Sequence, residues 1–285
     1  MNTSIQFAAF GSLLTDQEYA EYHSLRKQAS TMDFLQLQKL QSLINTNFNK
    51  EKKLTVLSIG SGKGDFDKDF IRSIASKIDR YVCVEPMKEH LDLLKKNLLE
   101  VLSEEQIEIH QAKAEDFYAN RQFDVIHNVH VIHWANDPVG VLKKLESYLK
   151  TGGLNITVLQ SEKGMPRLYS WLKPGKEGSL TAEKLFKDML NSGMNHYCLD
   201  YVPAELDVQS LLKEEEEGKK ILQFIISSKL TDLQFQQALP FIRSLAITRQ
   251  NKAVISEPFA FIVNRSCAAK KVGFAEWAFS FFSSF

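Results

Sequence analysis

Cysteine is scarce and scattered. Cys83, Cys198 and Cys267 are the only three in 285 residues, too widely spaced for a zinc knuckle or a redox pair. That scarcity points to a reducing, cytoplasmic setting with buried thiols rather than a disulfide framework. Charge of one sign is equally lacking: 35 lysines and arginines balance 35 aspartates and glutamates, so no field favours nucleic acid. No apolar run approaches the roughly 18 residues of a membrane span. The opening stretch MNTSIQFAAFGSLLTDQEY has no basic region, and its apolar part is too short and broken for a signal peptide. Core material, by contrast, is plentiful. Apolar residues make up 44% of the chain, enough for one large domain or for a core with an appended cap.

Residues Leu54 to Asp67 read LTVLSIGSGKGDFD. Leu54, Val56, Leu57 and Ile59 form the near-continuous apolar run of a parallel strand buried on both faces. Gly60, Gly62 and Gly64 follow on alternate positions, where positive φ and close backbone approach call for residues without a Cβ. Phe66, Phe70, Ile71 and Ile74 then fall at helical spacing, so the glycines occupy a strand-to-helix turn. A second apolar run, Tyr81 to Val84, ends in Glu85 and is stopped by Pro86. A carboxylate at that strand end, beside the turn, can accept both hydroxyls of an adenosine ribose. An ordinary βα loop is the competing explanation for three glycines, and Glu85 tells against it. The spacing is G-x-G-x-G, tighter than the dinucleotide fingerprint, and Asp65 and Asp67 stand where a pyrophosphate wants an anion-free helix N-terminus. S-adenosyl-L-methionine carries a sulfonium and an ammonium instead of phosphates, so both features favour it.

The rest of the chain supplies a frame for this turn. Thr15 and Glu18 form a capping-box pattern ahead of a helix through Tyr19, Tyr22 and Leu25. A second helix carries Phe34, Leu37, Leu40 and Ile44. From residue 53 to 160 strand and helix patterns alternate, as a parallel sheet with right-handed crossovers requires. Strands are expected near 54–59, 81–85, 107–112, 123–129 and 154–160. Pro138 opens a helix that Thr151-Gly152-Gly153 closes. Beyond 160 the alternation is lost: helical patterns fall near 181–192, 208–213, 219–228 and 231–247, with one returning strand at 196–202. A last strand is expected at 259–263. The fold class is therefore α/β, divided into an N-terminal helical lid (1–50), a cofactor core (51–160), a mostly helical substrate cap (161–250), a final core strand (251–265) and an aromatic tail (266–285).

Three segments carry a family likeness: LSIGSGKGDFD, CVEPMKEHL and FDVIHNVHVIHWANDPVGVLKKLESYLKTGG, followed by a helical stretch and FAFIVNR. Together they resemble the class I S-adenosylmethionine-dependent methyltransferases, and among these the histamine N-methyltransferase group. The resemblance runs over nearly the whole chain. It implies a Rossmann-like seven-stranded sheet with an antiparallel last strand. It places the cofactor on Gly60, Ser61, Gly62 and Gly64 through backbone, on Glu85 through the ribose and on Met87 over the adenine. Val129 lies beside the cofactor, as do Lys113 and Ala114 after the third strand. Many relatives carry aspartate at that last position. Lysine cannot accept a hydrogen bond, so the adenine amine must be met by backbone or by Glu115 or Asp116.

Substrate chemistry is expected at the exit of the fourth strand, where open α/β sheets place ligands. The resemblance puts His130 at a polar substrate-binding position and His133 with Trp134 at an aromatic pair. His130 and His133 are the candidate catalytic residues, either able to accept a departing proton. Tyr19, Tyr22, Tyr169 and Trp171 are candidate pocket walls, although such aromatics are more often core. His127, His130 and His133 recur every third residue, but a strand leaving a sheet need not make them converge, and no metal is expected. His127 reads as a satisfied core residue. Two positions depart from the histamine group: Met32 replaces its substrate-ammonium carboxylate, and Glu257 replaces its amide before the last strand. Glu257 reads equally well as a substrate-binding carboxylate and as a turn residue before Pro258.

The implied activity is methylation of a small molecule, at an amine or imidazole nitrogen. Carboxyl O-methylation stays open, with Arg167, Lys173 or Arg243 as the cationic partner, as does a nucleoside-binding module without turnover. The chain is expected to be a monomer or weak dimer with no nucleic-acid partner. Its tail, bearing Phe274, Trp277, Phe279, Phe281, Phe282 and Phe285, is expected to dock on its own cap, on a partner subunit or on a membrane surface, self-docking being the simplest.

Overall fold

A computed structural model describes residues 12–74, 77–163, 169 and 180–264. The 266–285 tail, with Cys267, and the residues Arg167, Trp171 and Lys173 lie outside the described residues.

The framework is a seven-stranded sheet in the order β3-β2-β1-β4-β5-β10-β6. Its strands are β1 (Leu54–Ile59), β2 (Ile78–Val84), β3 (Ile107–His110), β4 (Phe123–Val129), β5 (Leu149–Gln160), β6 (Tyr197–Val202) and β10 (Phe259–Asn264). β1 to β5 run parallel, and β10 is antiparallel to both β5 and β6. The expected α/β sheet with a reversed last strand is thus present. Strand order reverses at β1 and β4, whose carboxyl ends flank the crevice where such sheets bind ligands.

Each face of the sheet is covered by the helices its apolar pattern demands. On one side α2 (Met32–Asn47), α3 (Asp65–Ile74) and α4 (Lys88–Leu99) bury Leu40, Ile44, Phe70, Ile71, Leu94 and Leu98 against Val56, Val125, Ile156 and Phe261. On the other, α5 (Pro138–Ser147) and α6 (Ala182–Asn191) bury Leu142, Leu145, Leu185 and Met189 against Leu57, Ile126 and Ala260. Each such side chain contributes about 1.5–3 kcal/mol on leaving water. Helix α1 (Asp16–Ala29) begins at the expected capping box, with Thr15 and Glu18 bonding each other's backbone N–H.

Four local expectations are revised. The inward face of α2 is Met32, Gln36, Leu40 and Ile44, whereas Phe34 is 60% exposed. The stripe follows the i, i+4 ridge from the first helical residue, and a polar Gln36 within it hides the phase from a hydrophobicity pattern. Thr151, Gly152 and Gly153 do not close α5, which ends at Ser147. They lie in β5, where its register with β4 shifts. A Cβ on Gly153 would press on the carbonyls of Lys150, Phe123 and Asp124, which is why the irregularity carries glycine. The returning strand β6, expected within the cap stretch, forms the edge of the main sheet and completes its seven strands. Finally, short strands β7 (Glu205–Asp207), β8 (Ile247–Arg249) and β9 (Lys252–Ser256) form a second sheet in the order β7-β9-β8. It packs with α7 (Gln209–Leu212), α8 (Glu216–Ile226) and α9 (Asp232–Leu245) around Leu206, Ile221, Leu239 and Ile255.

Candidate active site

The glycine turn joins β1 to α3 and is closed by its neighbours. Gly60 N–H donates to the Val84 carbonyl at 2.7 Å and Gly64 N–H to that of Ser61 at 3.0 Å. Gly60, Gly62 and Gly64 have φ of 70°, 56° and 79°, a region that L side chains enter only at a cost. The three glycines nevertheless meet different surroundings. A Cβ on Gly60 would overlap the Val131 side chain, and one on Gly64 would come within 2.6 Å of Leu94 Cδ1. Above Gly62 no atom of the described residues lies within 4 Å of that position. Close protein packing thus requires two of the three, and Gly62 is the one that opens to free space. Ser61 is buried, its hydroxyl 3.0 Å from that of Ser58.

Glu85 follows β2 and bends back onto the turn. Its N–H is anchored on the His110 carbonyl at 3.0 Å. Its carboxylate accepts from Gly62 N–H at 2.8 Å and from Met87 N–H at 3.0 Å, with His90 Nδ1 at 3.2 Å. The group is buried. A carboxylate has about four acceptor positions, so capacity remains for a ligand. Met87 is exposed at the start of α4. After β3, Lys113 is exposed and its carbonyl takes the N–H groups of Asp116 and Phe117, both at 3.1 Å. The Ala114 carbonyl accepts from Lys144 Nζ at 2.9 Å, and the Glu115 carboxylate from Asn136 N–H at 2.9 Å. Of the two acidic candidates there, Asp116 is the exposed one.

Beneath the turn lies a buried polar chain. Tyr81 O–H donates to Asp67 Oδ1 at 2.6 Å, and His127 Nε2 sits 2.8 Å from the same phenol oxygen. Burial, reinforced by the Asp67 charge, pushes the Tyr81 phenol far above its ordinary range, while burial lowers His127. His127 is therefore a satisfied core residue. Among the described residues no group of three or more His, Cys, Asp or Glu side chains is arranged to hold a metal.

β4 delivers the substrate-side candidates. Val129 is half-buried at its end. His130 has φ 54°, an uncommon conformation for a residue other than glycine, and its N–H is tied to the Val158 carbonyl at 2.9 Å. The Gln36 amide, from the buried face of α2, reaches His130 Nε2 at 2.5 Å. An amide N–H only donates, so the neutral ring carries its proton on Nδ1. Burial foremost, then the Arg26 charge, pushes His130 down to about 3. His133 lies in the 3₁₀ turn Ile132–Trp134, its ring 4.9 Å from the Trp134 ring, and burial lowers it too. Trp134 is 78% exposed.

Glu257 is wholly buried, not a surface turn residue. Arg26 of α1 donates to its Oε1 and Ser30 O–H to its Oε2, the latter at 2.7 Å. Arg26 Nη2 also lies 3.6 Å from Met32 Sδ. Tyr19 packs on Phe224 of α8, ring centroids 5.0 Å apart. Tyr22 is buried core, and Tyr169 is a half-buried helical residue. Arg243 is exposed and paired with Glu214 at 3.5 Å. Sequence reasoning missed Gln36, Arg26 and Ser30. A polar residue on an apolar helical stripe was the only signal for Gln36, and Arg26, in the last turn of α1, carries no signal beyond a cation suited to a helix C-terminus.

Comparison with known proteins agrees with this arrangement. The Methyltransferase domain family model matches residues 30–192. Histamine N-methyltransferase A of Xenopus laevis is 25% identical over 241 residues, spanning 75% of this chain and 81% of its own. Among solved structures, a Bacillus halodurans C-125 protein bearing a methyltransferase designation superposes with TM-score 0.57 at 14% identity, over 81% of this chain and 98% of its own. The plantazolicin methyltransferase, crystallised with SAH, gives 0.52 at 15% identity over 88% and 92%. These structures share the fold. With the family model covering more than half of its length, the chain belongs to the methyltransferase-domain family, the class I enzymes that use S-adenosyl-L-methionine.

Proposed function

We propose that the protein transfers a methyl group from S-adenosyl-L-methionine to a nitrogen of a small molecule, an amine or imidazole compound that arrives as the free base. One observation carries this reading: Val131 packs on Gly60 so closely that no side chain fits between them. The loop bearing His130 and His133 therefore starts where the glycine turn ends, and cofactor and acceptor sites share a wall.

The residues present fit the cofactor. Free space above Gly62 and a buried Glu85 with spare acceptor capacity suit a ribose-bearing ligand. Asp65 and Asp67 at the start of α3 suit a ligand without phosphates. Glu85 would hold the ribose, Met87, Ala114, Lys113 and Val129 would border the adenosine, and Gly60 to Gly64 the methionine part. When bound, the cofactor supplies a methyl group on a positively charged sulfur, so positive charge passes to the acceptor. No developing anion needs stabilising, and the protein's work is orientation and dehydration; a near-attack arrangement is worth about 7–11 kcal/mol.

His130, locked by Gln36 and hard to protonate, serves as a neutral hydrogen-bonding group. His133 is the better proton acceptor, because among the described residues its ring has no such tether. Tyr19, Trp134 and Tyr169 would bound the acceptor. Helices α1 and α2 act as the lid, and residues 161–250 contribute the acceptor side. Carboxyl O-methylation is the rival reading: of its candidate cations Arg243 is paired with Glu214, and Arg167 and Lys173 lie outside the described residues.

The test is methyl transfer from labelled cofactor across amines, imidazoles and carboxylic acids, with the modified atom located by mass spectrometry. Label on nitrogen is the expected outcome; label confined to carboxylate oxygen would replace this reading with the rival one.

A further inference from the structure

Under the glycine turn a negative charge is held inside the protein by neutral groups. The Gly64 carbonyl accepts from Lys68 N–H at 2.9 Å, so α3 is capped at Gly64 and Asp67 is its third helical residue. An acidic side chain at that position ordinarily reaches back to the N–H of the cap. Here Gly64 N–H is taken by the Ser61 carbonyl, and Asp67 turns inward to the Tyr81 phenol instead. Tyr81 has one proton and gives it to this carboxylate, so its oxygen accepts from His127, whose neutral ring then carries its proton on Nε2. The Asp67 and His127 side chains are 3% and 2% exposed, and Tyr81 is fully buried. The cations of α3 are engaged elsewhere, Lys68 with Asn97 and Glu100, Arg72 with Asp69 and Glu100. His127 pairs with Ser58 of β1, two residues before Gly60. Asp67 Oδ1 lies 3.8 Å from His127 Nε2. Two strand residues span about 7 Å, so the carboxylate sits on the order of 10 Å below the turn.

We propose that Asp67 is a selectivity-determining residue for the cofactor: its buried charge favours S-adenosyl-L-methionine, a cation at sulfur, over S-adenosylhomocysteine, whose sulfur is neutral. The two ligands share their ammonium and carboxylate and differ by one methyl group and one positive charge. Methyl transfer carries that charge to the acceptor and leaves the electron pair of the broken carbon–sulfur bond on sulfur. The product therefore loses its attraction to Asp67 and departs more readily. Two opposite charges about 10 Å apart inside a protein still shift an equilibrium by roughly tenfold, and salt screens a buried charge little. The Tyr81 hydroxyl, bonded to the carboxylate, keeps that charge in place whether or not a ligand is bound. The inference rests on the placement of the cofactor at the glycine turn and is independent of the identity of the acceptor.

Calorimetric titration of the full-length protein with three ligands tests this: S-adenosyl-L-methionine, S-adenosylhomocysteine and sinefungin, which bears an ammonium where the methyl sulfonium stands. Asp67→Asn removes the charge and keeps an oxygen for Tyr81 to bond. It should raise Kd about tenfold for both cationic ligands and change that of S-adenosylhomocysteine by less than about threefold. An equal loss for all three ligands is what a merely structural role predicts, and it overturns the inference. No change for any ligand overturns it too, as does a change confined to S-adenosyl-L-methionine and absent for sinefungin. If Asp67→Asn does not fold, Asp67→Ser, with room for a water in place of the carboxylate, carries the same comparison. If neither folds, the wild type decides: sinefungin binding no tighter than S-adenosylhomocysteine overturns the inference. Glu85→Ala separates this inference from the cofactor placement, since it should abolish binding of all three ligands. Retained binding in Glu85→Ala beside a shifted ratio in Asp67→Asn removes the ribose assignment and leaves the role of Asp67 standing.

Discussion

Replacing Arg26 by methionine should destabilise the protein far more than deleting the whole pair. Glu257 is fully buried, and without Arg26 its carboxylate retains, among the described residues, the Ser30 hydroxyl. Removing one partner of a buried ion pair costs about 3–5 kcal/mol, because the other charge stays dehydrated and unmatched. At about 2–4 °C per kcal/mol for a chain of this size class, Arg26→Met should melt about 6–20 °C below wild type. The pair as a unit is worth much less, since neutral replacements of similar volume are often neutral or stabilising by about 1–4 kcal/mol. The double variant Arg26→Met with Glu257→Met should therefore melt close to or above wild type, less about 1 kcal/mol for the hydrogen bond Ser30 loses. Urea denaturation of the four proteins gives the coupling energy, expected above about 2 kcal/mol. An Arg26→Met cost below about 1 kcal/mol, the value of a solvated surface pair, would show that the buried pair is not what joins α1 to β10.

Other perturbations address the remaining parts of the site. Glu85→Ala should abolish S-adenosylmethionine binding in calorimetry while the fold survives; unchanged affinity removes the ribose assignment. Gly60→Ala combines positive-φ strain with overlap on Val131 and should cost about 2–5 kcal/mol, whereas Gly62→Ala incurs only the strain, about 1–2 kcal/mol; equal melting points would contradict the different surroundings of the two glycines. His130 resists protonation down to about 3 when folded, while an unfolded histidine protonates near 6.5. The unfolded chain thus binds the extra proton, and stability present above about pH 6.5 is lost as pH falls toward 3, by at most about 1.4 kcal/mol per unit and less for a partly solvated ring. His130→Gln should flatten that acid limb in pH-dependent denaturation, and an unchanged slope would place the proton elsewhere. Tyr81→Phe leaves Asp67 and His127 without their shared partner in the core and should cost about 1–3 kcal/mol, checked by thermal melting.

Much of the core was legible because its signals are local. β1 and β4 match the expected 54–59 and 123–129, and the G-x-G-x-G turn lies where strand periodicity gives way to helical spacing. Glu85 was found because a strand-ending carboxylate beside such a turn is a short-range pattern. Phe34 misled, because two residues along a helix point to nearly opposite sides and a single buried glutamine reversed the apparent phase of α2. The strands β7 and β8, three residues each, carry too few alternations for a period to be read.

The linear chain by itself determined the order of the core strands and helices, the glycine turn and the carboxylate facing it, since each depends on residues within a few positions of one another. Only the tertiary structure decided that Gln36 meets His130 and that Arg26 neutralises Glu257. Those contacts join segments 94 and 231 residues apart. The charges on such distant side chains acquire meaning only when folding removes the water that would otherwise screen them.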